Sequence, residues 1–499
     1  MSTATGINGV AMAVFIAFFA LVTVLGFIAA RWKRGDLNQL HEWGLGGRQF
    51  GTVISWFLVG GDFYTAYTVI AVPALVYSVG AYGFFAMPYT IIVYPFVFAV
   101  MPKLWEICHR KQHITAADYV HGEFGGKWLP AAVAITGIVA TLPYIALQLV
   151  GMQVVIKSLG VSGELPLIVA FGVLAVYTYS SGLRAPAMIA FVKDIMIYIV
   201  VIVAVVAIPG KLGGYGAVFH ASEAFFAAKG GTTGLILQPS QFTAYATLAL
   251  GSALAAFMYP HTLTGILSSG SANTVRKNAI ALPAYTLLLG LIALLGYMAI
   301  AAGVRVTSAS DVVPELFLKL FPSWFVGFAA AAIAISALVP AAIMSIGAAN
   351  LFTRNLYRPL INPGVTPEQE AKSAKLFSLF VKFGALLFIV VLPTKYAIDL
   401  QLLGGVWILQ IFPAVVFTLY SRRFTASGLF AGWLAGIVTG TGLAIEMGLK
   451  PVYTVHFGNA SFPVYIGVLA LALNTIVSVI ASAVTQRQHI PGGASAASK

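Results

Sequence analysis

Val59-Gly60-Gly61-Asp62-Phe63-Tyr64-Thr65-Ala66-Tyr67 sets a carboxylate in the middle of an apolar run covering residues 50–78. If that run crosses a bilayer, Asp62 at its centre costs about 2.5–3.5 kcal/mol on insertion scales. The two glycines before it permit an unwound backbone, which is tolerated at that depth only inside protein or beside a water-filled cavity. Unwinding frees carbonyls for a cation and exposes a half-helix N-terminus that favours an anion. The plainer alternative is a glycine-permitted kink in which Asp62 caps a neighbour.

The rest of the chain says that the run does cross a bilayer. Of its 499 residues, 60% are hydrophobic and only 9% charged, with a mean hydropathy of +0.92. Soluble domains are closer to half apolar and a quarter charged. At about 20 apolar residues per crossing, the length leaves room for roughly a dozen spans and no large enzyme domain outside the membrane. Thirteen apolar runs can be counted between residues 8 and 484. The predicted fold is an all-α membrane protein of about 13 transmembrane helices.

The first run has no basic residue before it and Arg31, Lys33 and Arg34 after it, so it reads as a retained span with the N-terminus outside. That orientation sets nineteen of the 28 Lys and Arg residues in inner loops and seven in outer ones. This is the positive-inside bias, and it puts the C-terminus in the cytoplasm. The net charge of +13 is then a lipid-facing charge, with no nucleic-acid partner implied. Cys108 is the only cysteine, so an intramolecular disulfide is excluded. His109 and His113 have metal-pair spacing but lie among cations and read as a solvated loop. No nucleophile motif, phosphate loop or HExxH pattern is present, and no enzyme, cofactor or obligate protein partner is implied.

A few other polar residues interrupt the apolar runs. Lys193-Asp194 lies in the run 186–209; adjacent helix positions point about 100° apart, so each residue is expected to need another partner. Lys193 alternatively snorkels to the headgroups, and Lys382 reads as snorkelling or peripheral. Tyr259-Pro260-His261 breaks the run 243–269, since Pro260 removes a helix hydrogen bond. Tyr144 and Gln148 share a helix face at i, i+4 and Trp407 lies on the eleventh run; all three are candidates for substrate contact beside Asp62, Tyr64, Tyr67, Tyr259 and His261.

Taken in order, these features resemble the sodium:solute symporter family. Trp43-Gly44-Leu45-Gly46-Gly47-Arg48, Ala117-Asp118-Tyr119-Val120 with Phe124-Gly125, Ser181-Gly182-Leu183-Arg184-Ala185, Tyr259-Pro260-His261 and Leu351-Phe352-Thr353-Arg354-Asn355-Leu356-Tyr357 are similar to its landmarks, with Asn355 where Asp is usual. The runs Val59–Tyr67 and Ala337–Ser345 resemble its monocarboxylate permease branch. The resemblance implies a LeuT-type core of two inverted five-helix repeats with broken helices, importing lactate, pyruvate or related acids. On that pattern residues 1–49 are an extra helix and loop, 50–209 and 243–420 the repeats, and 210–242 an outer loop packed partly on the bundle. Residues 421–484 are then two peripheral helices and 485–499 a disordered tail.

The chain departs from the family at the sodium site. The resemblance places site carbonyls at Gly60, Phe63 and Ser336, but the expected hydroxyl pair falls on Val339 and Pro340, which have no side-chain oxygen. Where the family carries Thr-Asp, this chain has Lys193-Asp194. Proton-coupled amino-acid transporters of the same fold put a lysine ammonium where sodium would sit. The expectation is therefore that Lys193, with Asp194 nearby, occupies the cation position and that its protonation cycle couples uptake to protons. The alternative is sodium at Gly60, Phe63, Ser336 and Asp194, or sodium-coupled uptake of another solute such as an amino acid or vitamin acid.

Overall fold

A computed structural model describes residues 7–32, 35–65, 67–161, 163, 165–231, 233–391 and 397–488. The protein is a bundle of long apolar helices. In chain order they are α1 Gly9–Ile28, α2 Thr52–Phe63, α3 Val72–Val79, α4 Ala86–Arg110, α5 Trp128–Ser158, α6 Leu165–Ser181, α7 Arg184–Leu212 and α8 Tyr215–Lys229. There follow α9 Phe242–Ala256, α10 Pro260–Leu267, α11 Pro283–Ala301, α12 Ser323–Phe352, α13 Pro367–Val391, α14 Ala397–Ile408, α15 Ala426–Glu446 and α16 Ile466–Gln488. Among the described residues, nine helical stretches are long and apolar enough to cross a membrane, and two bent pairs pass the same test together. The thirteen runs counted from sequence include two more, α6 with 17 residues and the apolar part of α13.

The two bent pairs are the two interrupted runs. Thr52–Phe63 and Thr68–Val79 meet at 48°, and Pro239–Ala256 and Pro260–Leu267 at 49°. They lie side by side: the Phe50 amide donates to the Ser268 carbonyl at 3.2 Å, and the Gly270 amide to the Phe50 carbonyl at 2.8 Å. Helix α12 runs through the middle of the bundle and is apolar all round, as a helix enclosed by others must be. Gly347 on α12 lets the second break settle against it, for a Cβ there would lie 2.9 Å from the Pro260 carbonyl carbon.

Polar ties close one end of the bundle. Asn355, just beyond α12, donates to Asp118 at 2.8 Å and accepts from Thr115 at 2.7 Å, while Arg354 reaches Asp118 at 3.4 Å and Glu370 at 3.1 Å. An amide at 355 can serve as donor and acceptor at once, whereas an ionised carboxylate there would face Asp118 as a like charge.

At the periphery α15 and α16 pack closely. Gly428, Gly432, Gly436 and Gly440, spaced by four, leave room for Ser482, Ser478, Asn474 and Ala470. Between these helices lies a hairpin that no reading of the sequence as wholly helical anticipates, β1 Val452–Phe457 paired antiparallel with β2 Ala460–Tyr465. The segment 210–242 contains α8, with Val218, Ser222 and Phe226 buried. Helix α16 runs to Gln488, so 485–488 are helical where a tail was expected; 489–499 lie outside the described residues.

Candidate functional site

The first break lies later than the glycines. Gly60 and Gly61 are inside α2, which stays helical through Phe63; the backbone departs at Tyr64 (φ −95°, ψ 80°) and resumes as a π-type turn over Tyr67–Ala71. The glycines serve close approach instead. A Cβ at Gly60 would lie 2.1 Å from the Tyr285 ring, and one at Gly61 would lie 2.8 Å from Asp194 and 3.0 Å from the Lys193 ammonium. The helix end beside Asp62 is therefore a C-terminus, which favours a cation.

That cation is Lys193. Fully buried, its Nζ donates to the carbonyls of Gly61 at 2.5 Å and Tyr64 at 3.0 Å and pairs with Asp194 Oδ1 at 2.9 Å. Asp194 Oδ2 accepts from the Tyr285 hydroxyl at 2.8 Å. Three expectations change here. Lys193 does not snorkel. It pairs with its own neighbour, because a four-carbon stem can curl across the 100° that separates adjacent positions. The carbonyls it engages are those of Gly61 and Tyr64, one residue on from Gly60 and Phe63. The Tyr64 hydroxyl donates to the Tyr285 carbonyl, so this residue acts here through its backbone and its ring.

The donor set fits sodium poorly. A hard cation takes oxygen ligands, and this helix end offers its carbonyls to an ammonium already. Helix α12 can still offer the Ser336 carbonyl, since Pro340 four residues on has no N–H to donate to it, but Val339 and Pro340 have no side-chain oxygen. Among the described residues, no group of three or more His, Cys, Asp or Glu side chains could hold a metal ion.

The second break opens on a cavity of about 30 Å³, room for a water or two. Asp62, Phe63, Tyr144, Tyr259 and His261 line it, joined by Tyr89, Thr262, Gln401 and Tyr465. Pro260 starts α10, where a missing N–H costs nothing, so the N-terminus of α10 with His261 and Thr262 faces the cavity. Among the described residues, both Asp62 oxygens and His261 Nδ1 lack a hydrogen-bond partner, and His261 Nε2 stands 3.7 Å from Asp62 Oδ2. The rings of Tyr144, Tyr259 and His261 pack together with centroids 5.2–5.6 Å apart.

The remaining candidates fall elsewhere. Gln148 is buried behind Tyr144, donating to its carbonyl at 3.3 Å, and does not line the cavity. Trp407 points away, its indole donating to Thr441 on α15 at 3.1 Å. The side chain of Tyr67 lies outside the described residues. Lys382 neither snorkels nor lies peripherally: it is 1% exposed on α13, with no hydrogen-bond partner among the described residues. Tyr285 and Gln401 were missed. Gln401 had a signal, an amide at the start of an apolar run, but a lone tyrosine such as Tyr285 carries none.

Two broken helices thus lie side by side at a buried polar centre within a bundle of apolar helices. Residues 43–436 match the sodium:solute symporter family, and the chain belongs to that family. It is 65% identical over 480 residues to a monocarboxylate transport permease protein of Rhizobium johnstonii, covering 96% of this chain and 98% of that one. It is 34% identical to the symporter YodF of Bacillus subtilis, over 92% and 90% of the two chains. In structure it is similar to a Na+-coupled sialic acid symporter in a substrate-bound outward-open state, with a TM-score of 0.76 at 15% identity, covering 95% of this chain and 98% of that one. The fold is the LeuT-type fold, and the protein is a membrane transporter that moves a small solute by symport.

Proposed function

We propose that the protein imports short monocarboxylates, lactate and pyruvate among them, by symport with protons in preference to sodium. The 65% identical relative named a monocarboxylate transport permease supports the substrate class. The position of Lys193 carries the coupling: its ammonium lies on the carbonyls where a helix end would otherwise attract a free cation. A resident cation does the structural work of sodium without being drawn from solution. The substrate carboxylate is received at the N-terminus of α10, whose dipole favours an anion. Phe63, Tyr144 and Tyr259 supply apolar walls, and a single pocket methyl discriminates among small acids by only about 1–3 kcal/mol.

Within this reading residues 50–209 and 243–420 are the two inverted repeats, rocking around the two breaks. The N-terminus is outside and the C-terminus in the cytoplasm of the inner membrane, in keeping with the charge bias of the loops.

Sodium coupling is the second reading, favoured by the family and by the Na+-coupled structural neighbour. It requires Lys193 to leave the Gly61 and Tyr64 carbonyls. Uptake of labelled lactate into proteoliposomes under a sodium gradient or a pH gradient, imposed separately, distinguishes the two. Uptake driven by an alkaline interior and indifferent to sodium is expected; an absolute sodium requirement overturns proton coupling.

A further inference from the structure

The polar centre has two halves, and only one of them is short of partners. Lys193 has three oxygens within 3.0 Å for its three N–H donors. Removing its proton would leave two N–H donors for three oxygens and take from Asp194 its counter-charge. Asp62 and His261, in contrast, are 3% and 2% exposed, line the cavity, and leave both carboxylate oxygens and Nδ1 unpartnered among the described residues.

We infer that the proton carried with each substrate anion binds at the Asp62–His261 pair in the substrate cavity, while Lys193 remains a fixed ammonium. This rests on the monocarboxylate reading above and departs from the sequence-based expectation that Lys193 itself cycles.

The argument is one of charge and geometry. With one proton between them the carboxyl and the imidazole are jointly neutral, which suits an enclosed cavity, since an unpaired buried charge is expensive. A monocarboxylate adds one negative charge. A second proton, taken by the same pair, restores neutrality: Asp62 stays protonated and can donate to the substrate, and His261 becomes an imidazolium that faces its carboxylate. Anion and proton thus each make room for the other. The nearest other charges come as a pair, so that the Lys193 charge felt at Asp62 is offset by Asp194. Lys193 on α7 and Asp194 beside it form their own ion pair. The other titratable groups on the cavity wall are the phenols of Tyr89 on α4, Tyr144 on α5, Tyr259 at the break, and Tyr465 at the end of β2. The hydroxyls of Tyr259 and Tyr465 donate to the carbonyls of Gln401 and Leu402 at 3.4 and 2.6 Å. The N-terminus of α10 adds a fixed positive end beside the anion.

Proton uptake on binding makes affinity fall as pH rises, by about tenfold per pH unit once the unliganded pair no longer holds the second proton. The test is calorimetric titration of lactate into the purified full-length protein, in buffers of different ionisation enthalpy, which counts protons taken up per lactate bound. About one proton is expected for the wild type. His261→Gln is expected to bind lactate more weakly, with no proton taken up and an affinity flat with pH, whereas Asp62→Asn, which imitates the protonated carboxyl, is expected to keep the proton uptake. Lactate binding to the wild type without proton uptake overturns the inference and leaves the monocarboxylate reading standing. Failure of the wild type to bind lactate overturns that reading, and the inference with it. One proton per lactate retained in His261→Gln overturns the assignment to this pair. Should neither variant bind, infrared difference spectra of the wild type with isotope-labelled histidine decide. Imidazolium bands appearing with lactate support the inference, and unchanged histidine bands overturn it.

Discussion

The two halves of the polar centre lie within a few residues of each other on α2 yet are built to opposite rules. Around Lys193 the protein provides a helix end, a carboxylate and a tyrosine, and glycines that let them close in. Around Asp62 it provides a cavity and aromatic walls but, among the described residues, no hydrogen-bond partner for the carboxylate. A buried charge that is fully engaged is fixed in place, whereas a buried polar group left short is a place where something else arrives. The contrast can be broken experimentally, beginning with its strongest contact. Lys193→Met leaves Asp194 buried beside an apolar chain, and breaking a buried pair costs about 3–5 kcal/mol. A much lower melting temperature is expected in detergent, and adding Asp194→Asn should recover most of it; no recovery would show that the two residues are not energetically coupled.

Gly60→Ala is the next largest. Its Cβ would meet the Tyr285 ring at 2.1 Å, and overpacking of this kind costs up to about 3 kcal/mol. The same change at Gly384 on α13, where a Cβ meets nothing within 4 Å, should leave the melting temperature unchanged or slightly raised. Equal losses at both positions would mean that close approach is not what Gly60 is for. Tyr285→Phe removes a hydrogen bond to a charged group, worth about 1.5–3 kcal/mol. It should lower stability while leaving lactate affinity close to that of the wild type, because Tyr285 touches Asp194 and not the cavity. Smallest of all, Trp407→Phe loses one bond to Thr441, about 0.5–1.5 kcal/mol. A large loss of lactate affinity in that variant would return Trp407 to the substrate path.

What could be read without coordinates follows the same division. The apolar runs, their two interruptions and the misplaced charges at Asp62 and Lys193 are local facts, visible because hydrocarbon tolerates so few exceptions. Partnerships are not local. Tyr285 is one tyrosine in an apolar helix, and nothing near it in the chain marks it as the donor to Asp194 or explains Gly60. The glycine pair before Asp62 looks like a device for unwinding, and only the packing against Tyr285 and Lys193 shows it to be a device for proximity. The one-residue difference between the Gly60 and Phe63 carbonyls and those of Gly61 and Tyr64 is the rotation of a helix end, which no spacing rule resolves. Trp407 and Gln148 carry the right chemistry on faces turned to other helices.

The glycine ridge on α15 has a consequence for how the molecule is made. Lipid tails give two helices no apolar reason to associate, so association depends on close backbones and polar contacts. Gly428, Gly432 and Gly436 admit the serines and asparagine of α16, and the strands β1 and β2 join the two helices through a short hairpin. Contacts so near in sequence close with little loss of chain entropy. The last two crossings can therefore zip together as soon as both are in the bilayer, arriving at the rest of the carrier as a finished piece.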